Sequence, residues 1–177
     1  MVKTIYRKLL AILAGGVIGC SQADLPAEIA SQDFKMESSK DTLRVTSSPL
    51  NGQILKAGIP VSNAKIIRKV QSNATEPEWL VDEFQTDENG FFSIPVKEEF
   101  YSLNMVTQFV SSTRLDVEID GELHNFWFNA KYKDSLFAEN GEVEIEGLVC
   151  DLENQKIRVS QVYAAVLTKC RWSNMPK

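Results

Sequence analysis

The sequence predicts an all-β fold, an antiparallel β-sandwich, and three observations carry that expectation. Apolar and polar residues alternate with period two in several short stretches. Asn-Gly steps, which favour the positive backbone angles of tight turns, occur three times, at Asn51-Gly52, Asn89-Gly90 and Asn140-Gly141. No long stretch carries the 3.6-residue period of an amphipathic helix. Period-two alternation gives a strand one buried and one wet face, which is how the sheets of an antiparallel sandwich are built.

The alternation begins near residue 48 and recurs along the chain. Ala64, Ile66 and Val70 alternate with Lys65, Lys69 and Gln71; Leu115, Val117 and Ile119 alternate with Asp116, Glu118 and Asp120. Val143 and Ile145 alternate with Glu142, Glu144 and Glu146; Ile157 and Val159 alternate with Lys156, Arg158 and Ser160. At Ser160-Gln161 the pattern slips by one, which predicts a bulge or a strand end. Glu98 to Val110 reads either as a short helix or as an irregular crossover. A hydrophobic content of 44% is enough for this domain to bury a core.

Before the domain, Lys3, Arg7 and Lys8 form a positive segment followed by an apolar run from Leu9 to Gly19. That run is too short for a permanent membrane span and has the length of a signal peptide. It ends in Val17-Ile18-Gly19-Cys20, which resembles the lipobox of bacterial lipoproteins. The resemblance implies cleavage after residue 19 and acylation of the Cys20 thiolate, which becomes the new N-terminus. Ser21, where such proteins use Asp for inner-membrane retention, implies the outer membrane more than the inner. Residues 20–47 then read as the lipidated cysteine and a flexible polar tether, with the β-domain at 48–177. With Cys20 lipidated in an oxidising compartment, Cys150 and Cys170 are left as an even pair for one disulfide, two buried free thiols being the alternative.

Charge narrows the partners. The full chain carries −5; without the three signal cations, 16 basic residues face 24 acidic ones, a net of −8. Such a surface disfavours nucleic acid and offers no general attraction to anionic lipid. The expected membrane contact is therefore the lipid anchor, and the expected partner is another protein, with a glycan as the second choice.

Two stretches resemble the carboxypeptidase regulatory-like domain, a transthyretin-like sandwich. The first is Asn51-Gly-Gln-Ile-Leu-Lys-Ala-Gly58-Ile-Pro60-Val-Ser-Asn-Ala64-Lys-Ile66, and the second is Thr86-Asp87-Glu88-Asn89-Gly90-Phe91-Phe92-Ser93-Ile94-Pro95. In the second, Gly90 supplies the positive φ of a turn, Asp87 bonds the turn backbone, and Phe92 and Ile94 point to one face. The resemblance covers about residues 48–96. It implies the fold and a non-catalytic role, because the regulatory domain is not the peptidase.

Candidate sites are few. His124 is the single histidine, and no nucleophile or metal-ligand motif accompanies it, so no catalytic residue, metal or cofactor is expected. Asp87-Glu88-Asn89-Gly90 reads as a turn in preference to a calcium loop, since the later spaced carboxylate is missing. The acids at 116, 118, 120, 142, 144 and 146 would form a negative patch if their two strands were neighbours. Phe91, by alternation, faces outward, and Phe126, Trp127 and Phe128 place aromatics on both faces of one strand; these four are the candidate binding residues. The function expected is non-enzymatic binding in the periplasm, with an immunity-type inhibitor of an envelope-acting toxin as its specific form. Carbohydrate or cell-wall binding is the alternative.

Overall fold

The computed structural model describes residues 42–73, 78–101 and 107–176. The chain divides into two units, Met1–Glu37 and Ser38–Lys177. The first unit, and with it the expected signal peptide and Cys20, lies outside the described residues.

The strands are β1 (Thr42–Ser47), β2 (Leu50–Lys56), β3 (Ile59–Pro60), β4 (Lys65–Ser72), β5 (Leu80–Gln85), β6 (Phe91–Ile94), β7 (Lys97–Tyr101), β8 (Ser111–Ile119), β9 (Glu122–Lys131), β10 (Leu148–Asp151), β11 (Ile157–Gln161), β12 (Ala164–Thr168) and β13 (Cys170–Arg171). One sheet has the order β11-β12-β9-β8-β4-β5. A second joins β13, β10, β2 and β3, with β6 also paired to β2, and a small ribbon joins β1 to β7. The protein is an all-β sandwich. Ile54, Phe92, Ile94 and Cys150 from the second sheet meet Ile66, Leu115, Val117 and Val166 from the six-stranded one in a shared core. Alternation therefore did its physical work in β4, β8 and β11, where Ile66, Val70, Leu115, Val117 and Val159 are all buried. The slip at Ser160-Gln161 is the end of β11, followed by a turn.

Cys150 and Cys170 face each other across β10 and β13 and form a disulfide. Closing a loop with a sequence separation of 20 contributes about 3 kcal/mol in the chain-entropy model. It ties the C-terminal strand pair to the buried centre of the second sheet.

Asn89-Gly90 is a turn, and Asp87 organises it. One Asp87 carboxylate oxygen accepts the backbone N–H groups of Asn89 and Phe91, both at 2.8 Å. Gly90 has φ +76, and a Cβ placed there would lie 2.6 Å from the Ile54 carbonyl oxygen. Gly90→Ala therefore meets both a left-handed backbone and a clash with β2. Its expected cost is about 2–3 kcal/mol in a urea melt, and a loss under about 0.5 kcal/mol would contradict this packing.

Several expectations need correction. Asn51-Gly52 is not a turn but lies within β2, near its start. β10 lies alongside in parallel register, with Leu148 opposite Gly52, and a Cβ at Gly52 would sit 2.8 Å from the Leu148 carbonyl oxygen. That glycine serves close approach, and the β2–β10 pair is a parallel exception to the antiparallel scheme. The tether does not reach residue 47, because β1 occupies Thr42–Ser47 and pairs with β7. The buried end of β1 is Thr46 and Ser47, so hydropathy carried no signal there. Of the stretch Glu98–Val110, the part up to Tyr101 belongs to strand β7 and not to a helix, and residues 102–106 lie outside the described residues.

Residues 142–146 are not a strand. Gly141, Glu142 and Gly147 have φ between +63 and +68, which breaks an extended run. The backbone is satisfied by asparagines instead of a ladder. Asn140 donates to the Val143 carbonyl at 3.0 Å, Asn174 donates to the Glu144 carbonyl at 2.8 Å, and the Glu146 N–H donates to the Asn174 side chain at 3.2 Å.

Candidate functional site

The four aromatic candidates separate. Phe91 is 53% exposed and projects from the outer face of β6, opposite to Phe92 and Ile94. Phe128 is 36% exposed on the outer face of the six-stranded sheet, on the far side of the sandwich from Phe91. Phe126 and Trp127, 0% and 2% exposed, are core residues and present nothing to a partner. A bulge explains the pair. Leu115 lies opposite Trp127 and Asp116 opposite Asn125, so Phe126 is the extra residue on β9. Both aromatics turn inward as a result. Phe126 meets Phe92 edge-on at 5.9 Å, and Trp127 meets Trp172 at 5.7 Å. Of the four candidate binding residues, two are thus exposed rings on opposite faces and two are buried.

The expected acidic patch also dissolves. Asp116 is fully buried on the outer side of β8, bound by Arg114 at 2.8 Å and by the Asn125 amide at 3.0 Å. Glu118 pairs with Lys65 at 3.0 Å, and Glu142 pairs with Lys133 at 2.6 Å on a loop remote in sequence. His124 is half-buried on β9, opposite Val117.

Alternation did not single out another surface where exposed apolar side chains collect. The β11–β12 turn carries Val162, 85% exposed, and Tyr163, 51% exposed. The Tyr132 N–H donates to the Tyr163 carbonyl at 2.7 Å, which brings the chain after β9 beside this turn. Tyr132 and, after Glu142, Val143 add further exposed apolar area. Between them lies an open groove of about 180 Å³ lined by Lys133, Ala138, Gly141, Glu142, Gln161, Val162 and Tyr163. Sequence held one hint: the slip at Ser160-Gln161 is followed by two large apolar residues where a turn would ordinarily be polar.

Electrostatics in the groove favour fixed charge over proton transfer. The hydrogen bond from Lys133 holds the Glu142 carboxyl below its ordinary value. The same Glu142 hydrogen bond raises Lys133. Both groups stay charged through the neutral range, and the Lys133 ammonium also sits 5.6 Å from the Tyr163 ring centre. Such a pair orients a ligand but is poorly suited to general acid–base work.

A second polar cluster is internal. Lys131 is fully buried and donates to the Ser135 carbonyl at 3.1 Å, and burial pushes its ammonium down while Glu139 and Asp134 oppose that. Glu139, 4% exposed, lines a small recess of about 10 Å³ with Ser47, Ser48, Thr113 and Asn129. That volume suits one water and no substrate. Among the described residues, no group of three or more His, Cys, Asp or Glu side chains is placed to hold a metal ion.

Residues 50–155 match the family described as Domain of unknown function (DUF6795). No curated protein matches the chain, and no solved structure matches it. The matched stretch runs from β2 to the residues before β11. The Val162–Tyr163 turn and Cys170 therefore lie beyond the segment by which the family is recognised.

Proposed function

We propose that this chain, which belongs to the DUF6795 family, is a non-enzymatic lipoprotein of the bacterial envelope that binds another protein through the groove beside Val162 and Tyr163. The observation that carries the reading is the exposure of that turn: a valine at 85% and a tyrosine at 51%, beside Tyr132 and Val143, around a groove of about 180 Å³. Clustered exposed apolar and aromatic side chains with a polar rim are the composition of a protein contact. Lipid anchoring at Cys20 belongs to the proposal and rests on the lipobox resemblance. So does the transthyretin-like, carboxypeptidase-regulatory-like class, supported by the Asp87-centred turn and by Phe92 and Ile94 in the core. An immunity-type inhibitor of an envelope-acting toxin is the specific form proposed.

Carbohydrate binding is the second reading, favoured by Tyr163 beside Gln161 and Glu142 in a shallow groove. The Lys133 ammonium over the Tyr163 ring weakens it, because a sugar would have to share that aromatic ring.

The test uses the full chain in cells, with a benzophenone amino acid in place of Val162 or, as control, Phe91. A single protein adduct at 162 and none at 91 is expected. Val162→Asp should then weaken the purified complex by about tenfold or more, as loss of a central apolar anchor does. Adducts to polysaccharide alone, or none, would overturn the reading. Mass spectrometry of the same preparation should show fatty chains on Cys20; a product starting elsewhere would remove the anchor.

A further inference from the structure

The outer face of the six-stranded sheet carries a row of side chains set by register alone. Arg158 on β11 lies opposite Leu167 on β12, Leu167 opposite Phe128 on β9, Phe128 opposite Arg114 on β8, Arg114 opposite Lys69 on β4, and Lys69 opposite Val81 on β5. At about 4.8 Å between strands, this row spans about 24 Å. The row beside it is Ser160, Ala165, Ala130 and Ser112, all small, before it reaches Gln71 on β4, so the face is flat across β11, β12, β9 and β8.

Its charge runs against that of the protein. The whole chain is acidic, yet this row presents three cations and no exposed acid. Among the described residues Lys69 has no carboxylate partner, and the Arg158 Nε donates only to Ser160 at 3.2 Å. Arg114 uses its Nε on buried Asp116, at 2.9 and 2.8 Å, which leaves the outer guanidinium nitrogens uncommitted and the side chain 46% exposed. Lys156 sits beside them, bonded to the Asn125 amide oxygen at 2.7 Å. Partial desolvation, then Arg114 and Lys169, lower its pKa. Evolution of a merely solvated face would interleave the two signs, which is what the neighbouring Lys65, Glu83 and Glu118 do.

From this juxtaposition we infer that the face is a second docking surface, separate from the Val162 groove, and that it takes an acidic polypeptide surface carrying apolar side chains. Arginine forks pair with carboxylates in two parallel bonds, and the partly exposed Phe128, Leu167 and Val81 supply apolar contact between them. Phosphate polymers offer nothing to those apolar residues. A lipid surface would, but here the apolar side chains are flanked along the row by Arg158, Arg114 and Lys69 and form no continuous apolar patch for insertion. Screening confines the chain's overall negative field to about 8 Å at physiological salt, so the local cations decide the contact.

The experiment measures binding of the full chain to a random glutamate–tyrosine copolymer, to polylysine and to phosphatidylglycerol vesicles. Saturable binding to the acidic copolymer that weakens with salt is expected. Lys69→Glu with Arg158→Glu should reduce it at least about tenfold, since each reversal sets a like charge against the acidic partner. Lys69→Gln with Arg158→Gln should reduce it in the same direction by less, and covers the case in which charge reversal disturbs folding. Lys56→Glu, on the other sheet, should leave it within about twofold. Absence of saturable copolymer binding, an equal loss in Lys56→Glu, or binding to the vesicles in place of the copolymer would overturn the inference. None of these outcomes touches the cross-linking result at residue 162, so the two surfaces stand or fall separately.

Discussion

Phe126→Ala is expected to lower the free energy of unfolding by about 3–5 kcal/mol, whereas Phe128→Ala, two residues on, should cost about 1 kcal/mol or less. Alanine at 126 removes a fully buried ring that meets Phe92 edge-on at 5.9 Å, between the two sheets. The ring belongs to the same buried core as Ile54 and Cys150, both fully buried. A disulfide-tied strand has little freedom to collapse into such a cavity, so the cavity cost is kept near the upper part of the range. Phe128 is 36% exposed, and its loss mainly removes surface contact with Leu167 and Arg114. Urea melts of the two variants, with circular dichroism at the start point, read the contrast. Equal costs would mean that the β9 bulge does not direct Phe126 inward.

That bulge also shows where the sequence stopped being informative. Alternation is a local signal with period two, and it located β4, β8 and β11 because one face of each is apolar and buried. It fails where an extra residue shifts the phase. In Phe126-Trp127-Phe128 strict alternation required an aromatic on each face, yet two of the three point inward. It fails again where the buried residues are polar, as with Thr46 and Ser47 in β1, held by Ser111 donating to the Thr46 carbonyl at 2.6 Å. And it misleads where glycine serves packing: Asn51-Gly52 has turn chemistry but serves the close approach of β10. Glu142 to Glu146 alternates, but backbone satisfaction by Asn140 and Asn174 wins over a ladder. The candidate site was less legible than the fold. The Val162–Tyr163 groove joins the residues after β9 to the turn after β11, and no sequence window contains both. The cationic face depends on register across six strands, which composition, reporting only the net negative charge, conceals.

Asp82→Asn should cost about 3 kcal/mol at pH 7, and the cost should shrink in acid. Arg68 points into the sandwich from β4, is 3% exposed, and has its guanidinium 5.1 Å from the centre of the Phe84 ring. One guanidinium nitrogen donates to the Pro95 carbonyl at 2.6 Å, while two others donate to Asp82. Lys97 at the start of β7 donates to both Asp82 oxygens, at 3.0 and 3.2 Å. Asp82 thus clasps β4, β5 and the β6–β7 connection, and it is the carboxylate that balances a nearly buried arginine. Removing its charge leaves that arginine uncompensated, which is far worse than never having buried a pair. Asp82 itself is 25% exposed, so the lower end of the range of about 3–5 kcal/mol is the appropriate one. Desolvation alone would raise the Asp82 carboxyl, but hydrogen bonds from Arg68 and Lys97 outweigh it and hold the group below its ordinary value of 3.8. A folded pKa below the unfolded one stabilises the protein above pH 3.8, and that contribution is lost as pH falls through the depressed value. The gap between wild type and Asp82→Asn should accordingly be full at pH 7 and narrow steadily below pH 3.8. A gap that stays constant into strong acid would mean that shape, and not charge, is what Asp82 supplies. Replacing the pair together, as Arg68→Met with Asp82→Leu, should recover part of the loss, because apolar packing then takes the place of two charges that no longer need each other.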